Sequence, residues 1–220
     1  MRYMRKFKAA IFDLDGTLLD TISDICVSLN RALSQNGCET FTDDEGKFLV
    51  GNGVKVLIDR AMPEETDEEK KEKVLNEYRA FYSRDLMKKT RPFTNMVRIL
   101  QELTDNGLKI AVVSNKPDND TKRLILHYFP DVHFSYVSGS RGDIPHKPDP
   151  ASVQLALNAM GTLPKDTLYI GDSDVDIETG KNAEIATVGA LWGYRGREEL
   201  ESAGADFLAE KPYDLLKILL

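Results

Sequence analysis

Four short segments of this 220-residue chain carry acids and donors at spacings that could do chemistry: Asp13-Leu14-Asp15-Gly16-Thr17, Ser114-Asn115-Lys116, Pro145-His146-Lys147-Pro148 and Gly171-Asp172-Ser173-Asp174-Val175-Asp176. In extended chain Asp13 and Asp15 share a face, and a turn at Gly16 frees the second to swing away. Asp172 and Asp176 lie four apart across a helix start, so both can occupy one side of it. Carboxylates that meet in one cleft repel strongly unless a cation joins them. Clustered oxygen ligands select a hard ion, and an open site that takes a phosphate suits Mg2+. Ser114, Lys147 and the backbone amides that follow Asp13 and Ser114 could then hold phosphate oxygens.

Each segment taken alone also has a plainer reading. Asp-x-Asp-Gly-Thr can be a turn that opens a helix, Ser114-Asn115 an N-cap, Lys147 a surface lysine, and His146 a structural or substrate-facing group rather than a general base. Asp172, Asp174 and Asp176 resemble the opening of a calcium loop, which needs glycine at its sixth position and glutamate at its twelfth. Ile177 and Ala183 stand there, so that reading is rejected. Arg141-Gly142-Asp143 is read as a chance tripeptide. The four segments outweigh these readings because each sits at, or just past, the end of an apolar run.

Those runs set the architecture. Ala9-Ala10-Ile11-Phe12 is uninterrupted, as expected of a strand covered on both faces, and similar runs span 110–113, 134–137, 168–170 and 186–191. Helical patterns over 94–106, 118–127, 150–160 and 174–183 alternate with them, and a last helix is expected from Pro212 to Leu220. The expected fold is therefore α/β, a Rossmann-like open parallel sheet with helices on both faces, whose ligands bind beyond the strand carboxyl ends. From Asp20 to about Thr90 only helices are expected. Ile22, Ile25, Cys26, Leu29, Ala32 and Leu33 share one face of the first, which Gly37 ends. Thr42-Asp43-Asp44-Glu45 and Thr66-Asp67-Glu68-Glu69 read as capping boxes, and the charge run 64–73 as the solvated start of a long helix. The expected division is a core of residues 1–19 and 91–220 with an all-helical cap of residues 20–90 over the active face.

A formal net charge of −7 argues against phosphate-backbone binding, so no nucleic-acid partner is expected, and Arg2, Arg5, Lys6 and Lys8 read as a solvated leader. No apolar run approaches the roughly 18 residues of a membrane span, and no secretory signal is evident. Two cysteines, Cys26 and Cys38, make neither a disulfide framework nor a metal site, which fits a reducing, cytoplasmic setting.

In their order the four segments resemble the motifs of the haloacid dehalogenase superfamily, over the whole length of the chain. Val50-Gly51-Asn52-Gly53, His146-Lys147-Pro148-Asp149-Pro150 and Trp192-Gly193-Tyr194-Arg195-Gly196 resemble its phosphoglycolate phosphatase group. The resemblance implies a nucleophilic Asp13, an acid–base Asp15, and phosphate contacts from Ser114, Asn115 and Lys147. It also implies Mg2+ held by Asp13, the Asp15 backbone carbonyl and Asp172, with Asp176 bound directly or through water. Gly51-Asn52-Gly53 would be the cap's substrate loop. The expected partner is a small phosphorylated metabolite, with 2-phosphoglycolate leading, and the expected state a monomer or weak homodimer. A phosphomutase or pyrophosphatase would share this core chemistry. A haloacid dehalogenase lacks the second aspartate of the first motif, and a non-catalytic phospho-acceptor leaves Asp15 and the cap unexplained. Two departures from the family pattern stand out. Asn95 replaces a glycine after the cap, which leaves the hinge geometry open, and Glu184 follows Ala183, so a different end is expected for that helix.

Overall fold

A computed structural model describes residues 7–220. Arg2, Arg5 and Lys6 lie outside the described residues, whereas Lys8 pairs with Asp166 at 2.8 Å. In chain order the elements are β1 (Ala9–Phe12), β2 (Leu19–Asp20), α1 (Ile22–Gln35), α2 (Asp43–Gly46), α3 (Val54–Ala61), α4 (Glu68–Asp85) and β3 (Arg91–Pro92). There follow α5 (Met96–Asp105), β4 (Lys109–Pro117), α6 (Asp118–Tyr128), β5 (Tyr136–Ser140), α7 (Ala151–Met160), β6 (Thr167–Gly171) and α8 (Asp174–Asn182). The chain ends with β7 (Ala186–Ala190), α9 (Arg197–Ser202), β8 (Phe207–Ala209) and α10 (Asp214–Leu219).

The main sheet is parallel, in the order β5-β4-β1-β6-β7-β8. Its apolar runs are unbroken because both faces are covered. Ala10 and Phe12 of β1 join a core with α5, α6 and α10, while Ala9 and Ile11 join a second core with α7. The chain leaves β1 toward β4 on one side and β6 on the other, which makes β1 the switch point where ligands bind in such sheets. The helices α1 to α4 sit between β2 and β3, which pair antiparallel to each other. Cys26 packs on α1 as its helical spacing implies, and burial pushes its thiol up to about 12.

Several expected boundaries shift. The strand expected at 134–137 is β5, displaced to Tyr136–Ser140 by its register with Ala111–Val113, while Phe134 instead packs edge-on against Phe129. The edge strand β8 and the short α9 were absent from the sequence reading. The last helix starts at Asp214, with Pro212 in the preceding turn. Thr42 and Glu45 do form a capping box. The long helix α4, however, is capped by Asp67, whose carboxylate accepts from Lys70 N–H at 2.8 Å. Aspartate caps at least as well as threonine and adds negative charge at the positive helix end.

Both departures from the family pattern prove conformationally conservative. Asn95 takes the left-handed conformation at φ 63°. Glu184 does so at φ 57°, correcting the expectation of a different helix end. The amides of Glu184 and Ile185 bond to the carbonyls of Lys181 and Gly180, the same double closure Gly37 makes for α1. Two terminal hydrogen bonds and burial of Ile185 offset the side-chain penalty, about 1–2 kcal/mol.

Candidate active site

The carboxyl ends of β1, β4 and β6 converge. Asp13 follows β1 directly. Pairing of β4 with β5 breaks between Val113 and Pro117, and the residues in the gap are Ser114, Asn115 and Lys116. A strand irregularity beside a switch point aims side chains out of the ladder. Asp172 follows β6, and Asp176 lies in the first turn of α8, where its carboxylate accepts from the Ser173 amide at 3.1 Å and hydroxyl at 2.7 Å. The approach is close enough to require glycine. A β-carbon on Gly16, at φ 84°, would lie 2.2 Å from an Asp172 oxygen, and one on Gly193 would lie 2.2 Å from the Asp172 β-carbon.

Lys147 Nζ stands between two acids, 2.8 Å from Asp13 Oδ1 and 2.7 Å from Asp176 Oδ1. The contact with Asp176 is a directed hydrogen bond. The contact with Asp13 is a close ion pair, and among the described residues no other donor reaches the buried Asp13 Oδ1. Burial disfavours charge on Lys147, but Asp13 and Asp176 outweigh it and hold the ammonium well above its usual range. Burial pushes the Asp13 carboxyl up to about 7 against the pull of Lys147, with Asp176 and Asp15 adding to the rise. Asp172 is also raised well above its ordinary value, first by burial and then by Asp176 and Asp13. Its oxygens accept from the Thr17 hydroxyl at 3.1 Å and the Tyr194 amide at 2.8 Å.

Asp13, Asp172 and Asp176 each bring a carboxylate oxygen within 4.8 Å of the others. Three buried acids with one ammonium among them leave negative charge uncompensated when all are ionised. An all-oxygen set of this kind fits a hard divalent cation. The Asp15 carboxylate is not in the cluster. Its Oδ1 accepts from the Thr21 hydroxyl at 2.7 Å and Lys116 at 2.8 Å, and Lys116 also reaches Oδ2 at 3.0 Å. The Asp15 side chain is thus engaged away from the carboxylate cluster. Both Asp176 oxygens already accept donors, which leaves that residue less free than Asp13.

Asn115 ties three segments together: its side chain accepts from the Lys147 amide at 2.8 Å and donates to the carbonyls of Lys147 and Gly51. Gly51 and Gly53 line the cleft, but Asn52 does not, because its side chain is held by Arg60 on α3 at 2.8 Å. The hydroxyl of Ser114 accepts from the Lys116 amide. His146 stands beside Gly53 and bonds Ser140, a structural contact.

The sequence reading gave no role to Lys116, Tyr194, Arg195 or the tyrosines of α4. Lys116 stands directly after Ser114 and Asn115, and all three line the cleft because the ladder is interrupted there. Tyr194 and Arg195 lie in the segment 192–196, which fastens the core to the insert. The Tyr194 hydroxyl accepts from the Thr21 amide, Trp192 donates to the Thr17 carbonyl, and Arg195 donates to the carbonyls of Lys47 and Val50. From the insert, Ile25, Val50, Leu57, Tyr78 and Tyr82 complete the cleft.

Residues 10–190 match the model of the haloacid dehalogenase-like hydrolase family. The phosphoglycolate phosphatase of Aquifex aeolicus is 33% identical, the match covering 96% of each chain. That of Haemophilus influenzae strain Rd is 31% identical over 97% of this chain and 99% of its own. The crystal structure of a predicted phosphoglycolate phosphatase from Haemophilus somnus superposes with a TM-score of 0.91 at 29% identity, covering 99% of this chain and all of that one. With that match over most of its length and relatives of this identity, the chain belongs to the haloacid dehalogenase-like hydrolases and is a phosphatase among them.

Proposed function

We propose that this protein is a Mg2+-dependent phosphatase of small phosphomonoesters, with 2-phosphoglycolate as the leading substrate, working through an aspartyl-phosphate on Asp13. The observation that carries the reading is the division of labour between two acids two residues apart. Asp13 lies in the buried carboxylate cluster beside Lys147, whereas Asp15 turns to Thr21 and Lys116 at the mouth of the same cleft. This difference in surroundings supports reading Asp13 as the nucleophile and Asp15 as the proton carrier. The names of the Aquifex and Haemophilus relatives support the substrate. Residues 20–90 act as the cap.

Mg2+ would be held by Asp13, the Asp15 carbonyl and Asp172, with Asp176 direct or through water, and when bound it neutralises the acids and polarises the phosphoryl group. An Asp13 oxygen forms a bond to phosphorus as the ester P–O bond breaks, and Asp15 gives its proton to the departing oxygen. Water then attacks the phosphorus of the aspartyl-phosphate, Asp15 takes back a proton, and inorganic phosphate leaves with Asp13 restored. Ser114 and Lys147 hold charge on the transferring group. The apolar lining from the insert keeps bulk water away while the acyl phosphate exists.

The test is phosphate release with Mg2+ from 2-phosphoglycolate, pyrophosphate, a sugar phosphate and a nucleotide, for the wild type and Asp13→Asn. Turnover of the variant is expected to fall by about 10³-fold or more without loss of fold. Wild-type turnover in the variant would sink the covalent mechanism.

A further inference from the structure

The cleft is lined by three cationic side chains besides the catalytic groups, and two of them are committed. Lys116 holds both oxygens of Asp15 and stands 4.5 Å over the Tyr82 ring. Arg195 pairs with Glu199 at 3.0 Å and donates to two carbonyls of the insert. The third is Arg79 on α4, which lines the cleft with no hydrogen bond or ion pair among the described residues. Asp120, the remaining acid of the lining outside the catalytic set, is taken up by Arg123 at 3.4 Å. A second group nearby is also without a partner. Tyr82 is buried and lines the same cleft, yet its hydroxyl makes no hydrogen bond among the described residues. It stacks on Tyr78, the residue before Arg79, at 5.6 Å.

A buried hydroxyl left without a partner is unfavourable, and an unpaired guanidinium is a two-pronged donor that matches a carboxylate. The phosphate end of a substrate is already provided for, in that reading, by Lys147 and Ser114. A second anionic group, on the far end of a short molecule, would meet the insert.

We propose that Arg79, with the Tyr82 hydroxyl, binds a carboxylate on the substrate and makes this enzyme selective for phosphorylated short carboxylic acids. The inference rests on the phosphatase reading above and adds the residue that sets the substrate class. It places selectivity on the insert and chemistry on the sheet, so that a phosphate ester without the acid is held at one end only.

The experiment compares kcat/KM for 2-phosphoglycolate and monoethyl phosphate, which differ by a carboxylate against a methyl group. The wild type is expected to favour 2-phosphoglycolate, and Arg79→Met to lower that ratio by about 10- to 100-fold, the range for losing a charge-assisted hydrogen-bonded pair. Tyr82→Phe is expected to lower the same ratio less. Arg79 is solvent-exposed, so its replacement leaves the fold intact, which circular dichroism checks. A wild-type ratio near one, or a ratio unmoved by Arg79→Met, overturns the assignment while the phosphatase reading stands. Hydrolysis of neither ester alongside turnover of a sugar phosphate or a nucleotide overturns the assignment alone, and phosphate release from none of them with Mg2+ overturns both.

Discussion

Replacing Lys147 by methionine removes the one cation set between two buried acids, and the consequence depends on pH. At 2.7–2.8 Å and an effective dielectric of ~20, each of its two contacts is worth about 6 kcal/mol of gross attraction. Most of that is offset by dehydration of the ammonium, and breaking a buried pair by deleting one partner costs about 3–5 kcal/mol net. Asp13 already rises to about 7 with Lys147 pulling it down, so without the lysine it rises further. A carboxyl raised on folding contributes stability that is full below its unfolded value near 3.8 and lost as pH climbs through the folded value. Near pH 5.5 Asp13 is protonated with or without the lysine, so its removal costs less, whereas near pH 8 the variant must either take up a proton or bury an unpaired carboxylate. Urea denaturation in EDTA at both pH values reads the effect directly. Lys147→Met should lose about 3–5 kcal/mol near pH 8 and clearly less near pH 5.5. An equal loss at the two pH values, or a loss below about 1 kcal/mol near pH 8, would refute the account of a lysine that neutralises buried acids.

Two further outcomes follow from the same physics. Buried Asp24 accepts from the amides of Lys89 and Thr90 and the hydroxyl of Thr90, where the chain returns from the insert; Asp24→Ala should cost about 3 kcal/mol in urea denaturation by leaving those donors without partners. Since Asp13 and Asp172 are both raised, metal-free protein should lose stability as pH rises from about 4 through about 7, and Mg2+ should raise Tm more near pH 8 than near pH 5.5. An equal or reversed Mg2+ shift would remove the cation from the carboxylate cluster.

Ala9–Phe12 is buried on both faces by two separate cores, as its unbroken apolar run required, and Gly37 and Asn95 adopt the left-handed turns their types allow. Local rules failed where longer-range pairing decided. Phe207–Ala209 is too short to show a period, and it is a strand only because Val188–Ala190 offers it an edge. Glu184 enters the left-handed region against its preference because the helix end it closes is anchored by Ile185. Asn52 belonged to a glycine-flanked loop that looked uniform, yet Arg60, eight residues away on α3, takes its side chain from the cleft.

The four motif segments, their order and the strand ends that carry them follow from the sequence alone, because strand and helix periods depend on neighbours two to four residues away. The distribution of charge within the site does not. Which of Asp13 and Asp15 faces the buried lysine depends on contacts between distant segments, such as Thr17 with Asp172 across 155 residues and Lys116 with Asp15 across 101. Two aspartates separated by a single leucine thus occupy different electrostatic surroundings. The turn at Gly16 and the packing of β4 and β6 on either side of β1 decide which cation each one meets.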